Sequence, residues 1–531
     1  MWGTESEGGP MRTVLCAILL TATLGGVGHS ATISIDKSTR YQTIDGLGAG
    51  IHYFRPWKRK VGPFYETVDL DAVGFYDTVV KDLGISLIRI LEDGDFESDS
   101  GVYVTTDYMA RQLTHTRKFL AAAQRQNEEL VVITSVLSPP GYMKVSGQTV
   151  GGIEAAPNYF DTDCRLKDGY DDEYATFCTR YMQRSRDSLG VELYAFSIQN
   201  EPAFQEPYAS CVFNAQRYAQ TLKAVGQQVR AAGLTTRFFG AEHMSWAFPN
   251  VFENYIRQDP DALQYMYAWA VHGYTDGNSA DTGSYSGPTT TDKGLWMSET
   301  SGSVYGDSVY DWSGALTLGN NMLSFLRGGR ISAWNYLHIM ENSGGGSMDI
   351  PGSACLYVDG QRTSKFYVAH HFYRYIRPGA RQIASSTDDS ELGVVAFWHE
   401  DNQCMSIVLL NKGAQRTVTG ITGDLPAEFT VVTSDETAQL TTSTAAPGDP
   451  IVLPAASITT LVAGSYMGSG TAAARPRNAT TVRRAVHTSG RASSLFAIDG
   501  RRVPSGMNTR RASGVYLAQD AVRRRLSVQV R

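Results

Sequence analysis

Two glutamates stand where a carboxylate can do chemistry. Glu201 lies in FSIQNEP (196–202), at the end of the apolar stretch LYAFSIQ, and Glu299 lies in LWMSETSG (295–302), after GLWMS. Hydrolysis of a glycosidic bond with retention uses such a pair: one carboxylic acid protonates the leaving oxygen, and a carboxylate about 5–5.5 Å away attacks the anomeric carbon. The two must differ, the acid being protonated at rest and the attacking carboxylate ionised and oriented. Acids just past apolar strands matter because (β/α)8 barrels present reacting groups at the C-terminal ends of their strands. Pro202 turns the chain out of the strand at that point. Asn200, its direction set by adjacency to the acid, is a candidate to bind a sugar hydroxyl.

Other strand ends carry further candidates. Arg89, in GISLIRI, is placed to stabilise the Glu299 carboxylate; the competing reading is a structural ion pair inside a barrel. His272 and Tyr274, in AWAVHGY, are candidates to contact the nucleophile or a sugar hydroxyl, with a core histidine as the alternative. Glu242-His243 ends the stretch TRFFGAE. Trp334, in ISAWNYL, is a candidate floor for a sugar subsite, or else a core aromatic. Tyr142 and Trp246 are weaker subsite candidates, and His370-His371 reads as packing rather than metal binding. Neither a CxxC pair nor an HExxH helix occurs, so zinc is not expected and no cofactor is called for.

The elements that must position these residues are legible as a rhythm. Eight short apolar stretches, from IDGLGAGI (44–51) to ISAWNYL (331–337), alternate with longer amphipathic ones such as EYATFCTRYMQRSRDSLG (173–190) and AQRYAQTLKAVGQQVRAAG (215–233). Eight such units predict an α/β fold, a (β/α)8 TIM barrel spanning about 32–380, with Glu201 on strand four and Glu299 on strand seven. After Pro378-Gly379 the pattern becomes strand after strand (LGVVAFWHE, CMSIVLLNK, FTVVTS, ITTLVAG), predicting an attached β-sandwich side domain over 381–465. ATISIDKS (31–38) is expected to join that domain from ahead of the barrel. Residues 466–490 read as a linker and 491–531 as a small C-terminal β segment of three short strands.

Composition narrows the partners. The chain has 531 residues, 42% hydrophobic and 19% charged, enough for a sizeable core. Residues 471–531 carry thirteen Arg, no Lys and two Asp; this segment is +11, leaving −17 elsewhere against the net −6. An acidic body argues against nucleic acid as the main partner. Met11-Arg12 followed by VLCAILLTATLGGV and small residues reads as a secretory leader ending near Ser30 or Ala31, and the apolar run is too short to span a membrane. The expected location is therefore secreted or cell surface. Beyond Cys16, the five cysteines Cys164, Cys178, Cys211, Cys355 and Cys404 are compatible with one or two disulfides and at least one free thiol.

Taken in order, YQTIDGLGAG (41–50), GISLIRI (84–90), SVLSPPGYMK (135–144), FSIQNEP, LWMSETSG and KFYVAHHFYRYIRPGA (365–380) resemble glycoside hydrolase family 30 over roughly residues 40–465. The resemblance implies the barrel with its side domain, Glu201 as acid/base, Glu299 as nucleophile, and an Arg at the position of Arg89 within the site. It also implies a β-linked polysaccharide or oligosaccharide substrate, with xylan first and β-1,6-glucan or a glucosylceramide-like substrate as alternatives. The basic uronate-binding pattern expected of bacterial glucuronoxylanases is not found. A reading of another class, a carbohydrate-binding protein without turnover, is disfavoured because both carboxylates are present. The DGRRV...SGVY pattern near the C-terminus resembles sorting or attachment modules of secreted bacterial proteins, so attachment to a cell surface or secretion system is a further expectation. A solvated basic tail is the alternative.

Overall fold

The computed structural model describes residues 29–51, 58–61, 64–152, 162–244, 251–273, 293–300, 311–341, 355–358, 360–464, 515–520 and 525–530. Eight parallel strands close into a barrel in sequence order: Gly46–Gly50, Leu87–Glu92, Val131–Val136, Ala195–Ser197, Arg237–His243, Met266–His272, Gly294–Thr300 and Ala333–Tyr336. These strands are covered on both faces, which is why their sequences are nearly continuous apolar runs instead of alternating ones. The inner layer is Leu87, Ile133, Ala195, Phe239, Ala268, Ala270, Trp296 and Ala333. Small alanines leave room for two large rings, Phe239 and Trp296, whose centroids lie 5.1 Å apart.

Asp45, just ahead of the first strand, ties the barrel floor. It accepts hydrogen bonds from Trp296 Nε1 at 2.9 Å, Ser332 Oγ at 2.8 Å and the Tyr267 hydroxyl at 2.7 Å. Three strands are thereby joined at the end opposite the C-terminal mouth. The glycines of GLGAG follow from crowding at this wall: a Cβ on Gly48 would lie 1.8 Å from the Leu87 carbonyl oxygen.

The helices between strands start and stop where their sequences say they should. The helix Asp107–Gln126 is capped by Thr106, whose hydroxyl accepts from Met109 N at 3.1 Å, and ends at left-handed Asn127. The helix Asp171–Leu189 has three acids in its first turn, where they favour the helix dipole, and stops at Gly190 with φ 74°. The helix Ala215–Ala231 is capped by Asn214, which accepts from Arg217 N at 2.8 Å.

Strand His29–Thr43, ahead of the barrel, pairs antiparallel with Arg381–Thr387 and parallel with Arg416–Thr422, so chain from both sides of the barrel builds one nine-stranded sheet. Its two edge strands, Thr441–Ala445 and Ile451–Leu453, are separated by five residues, which reach at most about 20 Å. Laid flat, nine strands would put those edges about 38 Å apart. The sheet therefore curls over a core of its own, to which all nine strands contribute. Its central strands are buried on both faces. Along Leu392–His399, Val394, Ala396 and Trp398 face the sheet's own core, while Val395 and Phe397 pack with the barrel's helical layer. His371, on helix Ser364–Tyr373, is hydrogen-bonded to Thr460 Oγ1 at 2.9 Å and Ser434 Oγ at 3.0 Å, fastening barrel to sheet.

One expectation changes. The five cysteines are all buried free thiols, so the one or two disulfides allowed by their number are absent among the described residues. In the C-terminal segment two of the three expected strands, Val515–Asp520 and Arg525–Val530, are described and pair antiparallel, while the third, in SLFAIDG, lies outside the described residues. The leader up to residue 28 and the linker lie outside the described residues, whereas the expected end of the leader, at Ser30 or Ala31, falls within strand His29–Thr43. No described helix is long and apolar enough to cross a membrane.

The Gly48 contact generates a test. Gly48→Ala should lose about 2–3 kcal/mol in equilibrium urea unfolding, because the barrel wall must separate to admit a methyl group. An unchanged midpoint would mean that the wall yields freely.

Candidate active site

Arg89, on the second barrel strand, is fully buried and gathers its neighbours at the barrel mouth. Its Nη1 is ion-paired with Glu299 Oε2 on the seventh strand. Its Nη2 donates to Asn200 Oδ1 at 2.7 Å and to Glu242 Oε1 at 3.0 Å, and its Nε donates to Ser135 Oγ at 3.1 Å. His272, also fully buried, is hydrogen-bonded through Nδ1 to Glu201 Oε1 at 2.8 Å and through Nε2 to Glu242 Oε1 at 3.4 Å. A chain of contacts therefore runs Glu201, His272, Glu242, Arg89, Glu299, joining the two glutamates singled out from the sequence. His272 and Glu299 are also register partners on adjacent strands.

The backbone aims these groups. Glu201, in the loop just beyond Ala195–Ser197, and Glu242, next to the end of Arg237–His243, have positive φ, 42° and 47°, in the left-handed region that non-glycine residues rarely occupy. Each such residue costs on the order of 1–3 kcal/mol, held in place by the surrounding bonds.

The electrostatics follow from two cations buried among carboxyls. Burial opposes a charge on His272, but Glu299 and the hydrogen bonds to Glu201 and Glu242 raise it to about 9, leaving it cationic at neutral pH. Burial likewise pushes the Glu242 carboxyl up, yet Arg89 and His272 hold it down at about 2. For Glu201, burial is outweighed by the hydrogen bond and charge of His272, and the group is held below the usual carboxylate range. Beside it Glu206 is within hydrogen-bonding reach, and burial together with the Glu201 charge drives the Glu206 carboxyl well above that range. The surroundings thus favour a proton on Glu206 over one on Glu201, where it was expected.

The remaining sequence candidates sort by their contacts. Asn200 uses its amide oxygen on Arg89, and its nitrogen lies 3.4 Å from Glu206 Oε1, so its amide ties the site together at both ends. Arg89 makes the contact with the Glu299 carboxylate expected of it and has no exposed surface. Trp334 does not floor the cleft: it is buried in the main core, 6.0 Å from the Phe325 ring, because Ala333 takes the inward position on that strand and the next residue must point out to the helices. Tyr142 donates to Glu173 at 3.2 Å. Tyr274 and Trp246 lie outside the described residues. Sequence reasoning marked Glu242 only as a strand end and gave it no role, although it obeys the same rule of an acid after an apolar run. Glu206 it missed altogether, since a loop glutamate carries no periodic signal.

Two of these shifts generate a pH test. Glu242 is depressed, so its contribution to stability is complete above its free value of 4.5 and is lost as pH falls towards about 2. His272 is raised, so its contribution is complete below its free value of 6.5 and is lost as pH rises through about 9. Thermal unfolding scanned across this range should show an alkaline fall that is weaker in His272→Gln and an acid fall that is weaker in Glu242→Gln. Unaltered slopes in the two variants would refute the assignment. Arg89→Met, which strands a buried carboxylate, should cost about 3–5 kcal/mol.

No family model matches the chain. Putative glucosylceramidase 1 of Caenorhabditis elegans is 24% identical over 422 residues, covering 72% of this chain and 76% of that protein. Glucuronoxylanase XynC of Bacillus subtilis (strain 168) is 23% identical over 420 residues, covering 76% and 85%. Among solved structures, the catalytic domain of GH30 xylanase C from Talaromyces cellulolyticus shares the fold with a TM-score of 0.64 at 19% identity, covering 82% of this chain and all of that one. With the curated relatives and the shared fold in agreement, the chain is a glycoside hydrolase similar to those of family 30.

Proposed function

We propose that this hydrolase is a retaining β-glycosidase that acts outside the cell on a β-linked polysaccharide, with xylan as first substrate, Glu299 as nucleophile and Glu201 as general acid/base. The observation that carries the reading is the unequal company of the two carboxyls: Glu299 is paired with a guanidinium, whereas Glu201 faces an imidazole and a second carboxyl. An ion-paired carboxylate suits the group that must attack, and a carboxyl inside a proton-sharing cluster suits the group that must give and take a proton.

In the first half-reaction Glu201 protonates the glycosidic oxygen as the Glu299 carboxylate attacks the anomeric carbon; the C–O bond to the leaving sugar breaks and a glycosyl ester forms. In the second half, Glu201 takes a proton from water, whose oxygen attacks the same carbon and releases Glu299. Arg89 is the electrostatic counterpart of the charge that Glu299 loses and regains. Xylan is preferred because two of the similar proteins bear xylanase names, and the nematode relative supports a glucosylceramide-like substrate as second choice. Export rests on the leader read at Met11–Ala31.

Purified protein is incubated with xylan, glucuronoxylan, β-1,6-glucan, glucosylceramide and aryl glycosides, and the products are read by chain length and anomeric configuration. The expected outcome is xylan cleavage with retained configuration at first turnover; inversion, or cleavage of another member of the panel alone, overturns that part of the reading. Glu299→Gln should abolish turnover while binding persists. Glu201→Gln should lose about 10²–10⁴-fold on unactivated substrate, with azide restoring release of sugar from activated aryl glycosides. A protein with no turnover before or after these changes would be a binder. Truncation after residue 465 should leave hydrolysis intact.

A further inference from the structure

Glu206 lies five residues beyond Glu201 on the same loop, and its side chain is sealed from solvent. The loop holds it there by contacts on every side. Glu206 N donates to Ser210 Oγ at 3.1 Å, and that hydroxyl donates to the Phe204 carbonyl. Lys144, fully buried, spends its ammonium on the carbonyls of Ser210 and Thr149. Gln205 donates to the Gly151 carbonyl at 2.6 Å, and a Cβ on Gly151 would come within 2.3 Å of the Glu206 carbonyl oxygen. This packing leaves the Glu206 carboxyl against Glu201, with Asn200 Nδ2 3.4 Å from Oε1 and Tyr208 bonded to the carboxyl.

We propose that Glu206 is a positioning residue that shares one proton with Glu201 and so supplies the acid for the first half-reaction. This rests on Glu201 being the acid/base. Two carboxyls in hydrogen-bonding reach inside a buried site cannot both ionise cheaply, so the pair retains a proton where a lone carboxyl facing His272 would lose it. The charged and titratable groups around Glu206 are Glu201 and Glu299 on its anionic side, Tyr208, and the cations Arg89 behind Asn200, His272 behind Glu201 and Lys144 beneath the loop. In the first half-reaction the shared proton passes from Glu206 to Glu201 and on to the leaving oxygen, leaving both carboxyls ionised. In the second, the proton drawn from water returns to Glu201 and the pair is restored.

The test is the pH dependence of kcat/KM in Glu206→Gln. An amide donates to the Glu201 carboxylate and removes the neighbouring charge, so Glu201 gives up its proton sooner. The alkaline limb on polysaccharide should move down by about one pH unit or more, with about a tenfold loss of kcat/KM per unit above it. On a dinitrophenyl glycoside, whose leaving group needs no proton, kcat/KM should stay within about twofold. Glu206→Asp, which keeps a carboxyl, should recover part of the shift. A limb that stays in place while the rate falls evenly at all pH overturns the proposal, because that is what a purely structural loop residue would do. The variant is expected to fold, since a buried carboxyl with a raised affinity for protons weakens the native state at neutral pH. Should it not fold, carbon-labelled glutamate in the unaltered enzyme gives the same decision by NMR: a protonated site carboxyl at neutral pH supports sharing, and full ionisation excludes it. If instead Glu201→Gln keeps its full rate on polysaccharide, the acid/base assignment fails first.

Discussion

A guanidinium with no access to water must be neutralised where it sits, and Arg89 imposes that demand on half the barrel. Stripping an ion of solvent costs several kcal/mol, so its five N–H groups need partners of the right charge and direction. Those partners come from four other strands or their ends: Ser135, Asn200, Glu242 and Glu299. None can be supplied unless the barrel has closed in register. The site is therefore a consequence of closure, and its order is that of the fold itself.

The same logic explains why the two ends of the barrel differ. At the floor a single carboxylate, Asp45, is surrounded by neutral donors from Trp296, Ser332 and Tyr267, an arrangement that knits strands together without storing charge in bulk. At the mouth, Arg89 and His272 stand against Glu201, Glu242 and Glu299, with the Glu206 carboxyl beside Glu201. That cluster is held in tension, with left-handed glutamates and buried like charges; the reserve comes from the apolar interior beneath it and from the side sheet fastened through His371.

Charge balance also sets how a proton can be moved. A carboxyl beside cationic His272 alone would be a poor acid source, because the imidazolium stabilises its ionised form. A second carboxyl on the same loop reverses this by making the doubly ionised pair expensive, without requiring the histidine to be neutral. His272 can then serve both as an anchor for Glu242 and as the counter-ion that steadies Glu201 once its proton is spent.

Much of the architecture was legible in the amino-acid order because it depends on local pattern. Apolar runs of strand length separated by amphipathic stretches dictate eight units, and each predicted strand overlaps its observed counterpart, as TRFFGAE (236–242) does with Arg237–His243. The two glutamates were legible for a related reason: an acid after such a run has to emerge at the mouth. Beyond the Arg89–Glu299 pair, partnership was not legible. Whether a strand-end residue points inward is decided by parity across the closed wall, which turned Trp334 to the helices. Glu206 became visible only once the loop beyond Glu201 was packed against Gly151 and Lys144, contacts more than 50 positions away in the chain. Sequence determines which residues can carry charge and where strands stop; the protonation state of each carboxyl is set by its neighbours in space, because desolvation and Coulomb energy depend on distance and not on order along the chain.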